Sequence, residues 1–466
     1  MKHFIIGLLA LILINSTQAG ESLNLKIRIE GYPDSTLILT SYHGDRVKLV
    51  DTAYISKSGF FIFNGSENLP GGIYMAVSPE RKKLFEFILD NDQRFSLTTD
   101  TANYALNIVV KGSENNRVFY DYLKFNEQQY QTSKLLKNDL LMTSGNIEEY
   151  EIIIGQIDSI NQLSSDYKLH IIEKYPKLFV AKLFNAMREV EIPDSISESL
   201  DSTLAYKYLK QHYWDYFDLS DPRLLRTPLL STKVTQYFNQ LVMVQPDSVI
   251  VAIDEVISKA RPSEEVVGYL IWHFVSAYQN PKYMGFEKVF IHLVDAYFSK
   301  ESIVNTTPSV LQALQERAEV LRPLQLGETA PNLILIDTAN VFRSFNEIDN
   351  DYIILLFWDF DCSFCRKEIK QLQKLYKKTD FDFEVYAINM NGDHDKWKKA
   401  VHERDMQWIN VNGTLSQTPD FHDLYDVHGS PVIFVLDKQK RIIAKRVGTE
   451  QIVPFLENHE KSLEQQ

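Results

Sequence analysis

Along the chain, hydrophobic and polar positions follow three different rhythms. Leu23, Leu25, Ile27 and Ile29 alternate with Asn24, Lys26, Arg28 and Glu30. A period of two predicts a strand with one buried face. Runs at 36–40, 47–55, 60–63, 73–77, 84–89 and 94–98 follow, rich in β-branched and aromatic residues. Turn-forming pieces separate them: Pro33-Asp34, His43-Gly44-Asp45, Ser58-Gly59 and Pro70-Gly71-Gly72. Short strands at this spacing predict a small antiparallel β domain, sandwich-like, over residues 21–112.

From 113 to 323 the apolar positions recur at helical spacing, as at 146–175, 178–190, 203–217, 249–260, 264–278 and 285–299. Prolines 176, 193, 222, 246, 262 and 281 break the pattern. An all-helical domain is expected there. Its aromatic stretch, which includes Tyr206, Tyr208, Tyr213, Trp214 and Phe217, reads as core packing, with a ligand-binding aromatic box as the other reading. Beyond 324 the rhythm changes again. Strand-like runs at 352–357, 383–388, 408–411, 432–437 and 441–447 alternate with helical patterns at 366–376, 393–404, 420–425 and 450–463. That alternation predicts an α/β domain with a mixed central sheet over 324–466. The fold class is multidomain α+β.

The chain's two cysteines, Cys362 and Cys365, lie where the apolar strand Tyr352-Ile353-Ile354-Leu355-Leu356-Phe357 gives way to a helix carrying Ile369, Leu372, Leu375 and Tyr376 on one face. A helix start favours a thiolate, because unpaired N–H groups and the helix dipole stabilise negative charge. One helical turn brings the two sulfurs together, as thiol–disulfide exchange requires. Cys362, nearer solvent, is expected to attack, and Cys365, inside the first turn, to resolve the mixed disulfide. Two cysteines are too few for a disulfide framework. With no second Cys-x-x-Cys and no His-x-x-x-His, neither a metal nor a cofactor is expected.

Charge and the first residues narrow the setting. The formal net charge is −13, and no basic stretch exceeds Arg81-Lys82-Lys83, which argues against nucleic acid or anionic lipid as partners. Lys2, the apolar residues 4–14 and the small polar residues 15–20 read as a signal peptide over 1–20, cleaved after Ala19 or Gly20. No cysteine follows the apolar run, so no lipid anchor is expected. The mature protein is expected to be periplasmic.

These residues resemble the thioredoxin superfamily, and more closely the extracytoplasmic thiol–disulfide oxidoreductases of the TlpA/ResA type. Gly327, Ala330-Pro331 and Leu335 look like that family's opening hairpin. Trp358 precedes Cys362-Ser363-Phe364-Cys365-Arg366-Lys367-Glu368, similar to the family's Cys-x-x-Cys-x-x-Glu. Residues 383–411 resemble the αβ element inserted after the active-site helix, and 427–437 the segment with the family's cis-proline. The resemblance implies that residues 324–466 form a thioredoxin-like domain and that Pro431 is cis beside the cysteines. It also implies that the Ser430 backbone hydrogen-bonds an extended substrate chain. Trp358 is assigned to the substrate side as a residue that packs beneath and shields the site. Glu368 shares a helix face with Cys365 and either moves a proton at its sulfur or is a surface residue paired with lysine. The partners implied are disulfide-containing exported proteins and a thiol electron donor.

Some positions depart from the family pattern. Asp361 stands where a bulky residue is usual, Leu356 replaces the buried acid of thioredoxin proper, and Ser363-Phe364 is neither Gly-Pro nor Pro-His. A carboxylate beside Cys362 disfavours its thiolate. On that ground the expectation is a reductant, with a potential nearer the thioredoxin value of about −270 mV than the DsbA value of about −120 mV. Two other functions compete. A thiol peroxidase needs a threonine and a proline ahead of the reactive cysteine, and residues 357–361 contain neither. In an envelope binding protein the thioredoxin-like domain would serve as scaffold.

Overall fold

The computed structural model describes residues 22–142, 147–298 and 306–464. The signal-peptide expectation for 1–20 lies outside them. The described residues fall into two compact units. One runs to Val242 and includes Lys259–Val266; the other holds Met243–Ser258 and continues from Val267.

The first unit opens with two four-stranded sheets. In one, Leu23–Glu30 lies between Phe61–Gly65 and Arg94–Asp100, with Val109–Lys111 at the edge. In the other the order is Arg46–Tyr54, Thr36–His43, Gly72–Val77, Lys83–Leu89. The period-two reading holds: Leu23, Leu25, Ile27 and Ile29 are all buried. Pairing is antiparallel except between Leu23–Glu30 and Arg94–Asp100, which run parallel because most of the domain's chain separates them. The chain then enters two long helices, Glu114–Met142 and Ile147–Lys174. Asn116, with no exposed surface, locks the first of these to the sheet: its side chain accepts from the Ile88 N–H at 2.8 Å and donates to the Ile88 carbonyl at 2.7 Å. Of the aromatic stretch, Trp214 and Phe217 are core, the Trp214 ring 5.2 Å from that of buried Tyr237, while Tyr206 is exposed and Tyr208 and Tyr213 are partly so.

In the second unit the helical residues 267–278 and the helices Glu287–Tyr297 and Pro308–Leu321 precede a seven-stranded mixed sheet. Tyr352–Trp358 lies in its interior, third from one edge. It is parallel to Phe383–Asn389 on one side and antiparallel to Val432–Asp437 on the other. All its residues are buried, as a strand covered on both faces demands. Ile354, Leu356 and Trp358 face one core, with Ile369 and Leu372 of helix Ser363–Lys378 and with Ile452 and Leu456 of the final helix. Ile353, Leu355 and Phe357 face the other, with Phe345, Phe421 and Tyr425. The short strand expected at 408–411 is longer, Ile409–Ser416. It pairs in parallel with Phe383–Asn389 on one edge and antiparallel with the hairpin strand Ile334–Asp337 on the other, the latter pairing interrupted by an irregularity between Asn412 and Ser416. No helix of the described residues is long and apolar enough to cross a membrane.

Candidate active site

The central strand ends at Trp358, and helix Ser363–Lys378 starts a few residues later. Cys362 is its N-cap rather than its first residue. In an extended conformation (φ −74°, ψ 121°), its sulfur accepts a hydrogen bond from the Cys365 N–H at 3.1 Å. The helix start is thereby capped by the atom that must carry negative charge. Cys362 is half-buried and Cys365 fully buried; both are free thiols.

The two thiols are driven apart electrostatically. Burial pushes the Cys362 thiol up. Hydrogen bonds from Cys365, through side chain and N–H, outweigh it, together with contacts to Ser430 and the Phe364 N–H, and hold the thiol below its ordinary value. Burial, then the hydrogen bond to Cys362, raises Cys365 to about 11. This corrects one expectation. Asp361 does not decide the ionisation of Cys362, because its carboxylate is exposed while the donors of the helix start act on the sulfur directly.

The Ser430–Pro431 peptide bond is cis, and the Ser430 carbonyl lies 3.5 Å from the Cys362 sulfur. Cys362, Cys365, Ser430 and Pro431 thus meet at one place. Trp358 lies behind it with no exposed surface, its ring under the Arg404 guanidinium at 5.4 Å. It shields the site from below and offers no face to an incoming chain. Glu368 is drawn elsewhere: its carboxylate accepts from the Thr449 N–H at 2.9 Å and the Thr449 hydroxyl at 2.6 Å, at the start of the final helix. Phe364, between the cysteines, is 74% exposed and presents an apolar ring beside Cys362. Among the described residues no three His, Cys, Asp or Glu side chains gather as a metal site.

Beyond the cis-proline loop opens a cavity of about 580 Å³, lined on one side by Ser430 and Pro431 and on the other by Asn280, Arg317 and Arg446. Asp426 lies within it, its carboxylate 2.8 Å from Arg446 and 3.5 Å from Arg317. Sequence reading missed this group. Arg317 and Asp426 are 109 positions apart, and no local pattern links them.

Residues 326–445 match a family model described as the AhpC/TSA family. The C-terminal domain is thioredoxin-like. Thiol-disulfide oxidoreductase ResA of a Bacillus cereus strain is 24% identical to this chain over 137 residues, 29% of this chain and 77% of that protein. The Bacillus subtilis (strain 168) protein of the same name is 26% identical over 125 residues, 26% of this chain and 68% of its own. A crystal structure of a domain of a possible thiol-disulfide isomerase from Cytophaga hutchinsonii is 36% identical, covering 31% of this chain and 99% of that one, with a TM-score of 0.29. The thioredoxin-like domain makes the protein an enzyme of the thiol–disulfide oxidoreductase class, preceded by two regions, 23–119 and 155–320, that match domains of unknown function.

Proposed function

We propose that this protein reduces disulfides of exported proteins through Cys362 and Cys365. The supporting observation for exchange is the inequality of the two thiols: a half-exposed one held below its ordinary value, and a buried one raised to about 11. The lowered Cys362 thiol removes the charge argument for a low potential, so the direction is decided by the redox equilibration below. The Cys362 thiolate attacks one sulfur of a substrate disulfide. That S–S bond breaks, the first substrate sulfur leaves and takes a proton, and a mixed disulfide to Cys362 forms. Cys365 then loses its proton and attacks the Cys362 sulfur, releasing the second substrate thiol. The substrate gains two electrons and the Cys362–Cys365 pair loses them. A thiol electron donor restores the pair. Ser430, at the edge of the cis-proline loop, offers its backbone to an extended substrate chain.

The test is insulin reduction coupled to dithiothreitol with the full mature chain. Cys362→Ser is expected to abolish turnover, and Cys365→Ser to accumulate a mixed disulfide with substrate. Reduction by Cys362→Ser at the wild-type rate would refute the assignment. Equilibration against dithiothreitol and glutathione buffers fixes the direction. A potential above about −180 mV, the isomerase region, would leave an oxidase or isomerase in place of a reductant.

A further inference from the structure

We infer that the cavity beside the cis-proline loop is a subsite for a carboxylate that the substrate polypeptide carries close to its disulfide. This rests on the disulfide-exchange reading and names the substrate class that the same site takes.

Position is the first ground. Ser430 lines the cavity and also lies 3.5 Å, through its carbonyl, from the Cys362 sulfur. A chain held along the loop with its disulfide at Cys362 therefore has neighbouring residues over the cavity mouth. A volume of about 580 Å³ is ample for a side chain or a chain end.

Hydrogen-bonding capacity is the second ground. The acceptors in the cavity are already engaged. The Asp426 carboxylate, 6% exposed, is met by Arg446 at 2.8 Å, by His428 at 3.4 Å and by Arg317 at 3.5 Å. The Glu368 carboxylate is held by Thr449. The donors are not used up. Arg446 bonds through one terminal nitrogen, to the Asp426 carbonyl and carboxylate. Arg317 bonds through one terminal nitrogen, to Asn280 and Asp426, and its buried Nε has no partner. Both guanidinium side chains keep exposed surface, 41% for Arg446 and 30% for Arg317. The two arginines and two carboxylates cancel in formal charge, so recognition rests on directed N–H groups and not on a net field. A planar, acceptor-only carboxylate fits such donors, and charge-assisted bonds of this kind are the strong ones. Elsewhere, a chain of net charge −13 repels an acidic partner.

The experiment uses the full mature chain, dithiothreitol as reductant, and disulfide-bridged peptides that differ at one point. One pair carries Glu or Gln two residues from a cysteine; another ends near the cysteine in a free carboxylate or an amide. Bis(2-hydroxyethyl) disulfide reports exchange that does not use the cavity. The wild-type protein is expected to prefer one or both carboxylate peptides about tenfold in kcat/KM, through KM, the size of one charge-assisted hydrogen bond. The pair that shows the preference identifies a side-chain or a terminal carboxylate as the group bound. Arg317→Gln and Arg446→Gln are expected to erase the preference while leaving turnover of the small disulfide at the wild-type rate. Equal kcat/KM for all peptides in the wild-type protein, with the small disulfide still reduced, overturns the subsite; this comparison needs no variant to fold. A preference that survives in both variants overturns it too. No turnover of any disulfide overturns the exchange reading itself, and the subsite with it.

Discussion

Two thiols three positions apart, in one turn of helix, differ in ionisation because their surroundings differ. Cys362 caps the helix and receives N–H groups; Cys365 is sealed beneath it. Alkylation follows the thiolate. Cys362 is therefore expected to be labelled by iodoacetamide at pH values below the free-thiol value of about 8.5, and Cys365 only as pH approaches 11. The sign is the same for stability. A thiol raised in the folded protein favours folding of the reduced form at neutral pH, and that contribution fades as pH climbs from about 8.5 toward 11. Because the exposed Asp361 is not among the groups that set Cys362, Asp361→Ala should leave the labelling midpoint of Cys362 within about 0.3 pH units of wild type, far less than the full unit or more that a close opposite or like charge produces. A larger downward move would restore Asp361 as the governing charge.

Elements here are joined by polar side chains at their ends. Helix Ser363–Lys378 and the final helix, Thr449–Glu464, pack on the same face of the sheet through Ile369, Leu372, Ile452 and Leu456. Glu368 fixes their relative position by holding the N–H and hydroxyl of Thr449, an orphan donor at a helix start. Glu368→Ala is expected to lower stability by about 1–2 kcal/mol, as loss of a cap does. It should leave the pH profile of disulfide exchange in place. Urea denaturation and the pH–rate curve of the same variant decide the matter: an unchanged midpoint with a shifted pH profile would mean that Glu368 moves protons at Cys365.

At the scale of the molecule, the helices from Val267 onward and the thioredoxin-like domain share one compact unit. Lys445, on the edge strand Ile442–Lys445, is 3% exposed. It donates to the Leu324 carbonyl at 2.5 Å and lies 3.4 Å from the Glu287 carboxylate of helix Glu287–Tyr297. Its backbone N–H meets the Met284 sulfur at 3.1 Å. Cutting the chain before 324 removes Glu287 and Met284 together, returns the strand end they cover to water and loses its ionic and packing contacts. A fragment of residues 324–466, which lacks Glu287, is therefore expected to unfold at lower urea than residues 267–466. Equal midpoints for the two fragments would show that the helices add nothing to the domain.

Periodicity by itself determined the three regimes, the central strand and the active-site helix, since both-face burial and one-face burial leave unambiguous marks on Tyr352–Trp358 and on Ile369, Leu372 and Leu375. The two cysteines and their helix-start setting are legible for the same reason, being local patterns; that Pro431 stands opposite them is what the family resemblance implies, not what a local pattern shows. Helix Glu114–Met142 leaves no long apolar stripe in the sequence, because its buried apolar residues, Val118, Phe119, Tyr120 and Tyr122, lie in the first turns while Leu135 and Leu141 are exposed. Strand Ile409–Ser416 outruns the expected 408–411 because Asn412-Gly413, a turn-like pair, lies inside it. Inside the fold the Asn410 amide nitrogen donates to the Met406 and Trp408 carbonyls, and the Asn412 side-chain oxygen accepts from the Thr414 N–H. Only the tertiary structure placed Glu368 on Thr449, made hydrogen bonds outweigh burial at Cys362, and brought Arg317 to Asp426 beside the cis-proline. Each of these depends on contacts between residues distant in sequence, or on burial, and neither leaves a local pattern to read.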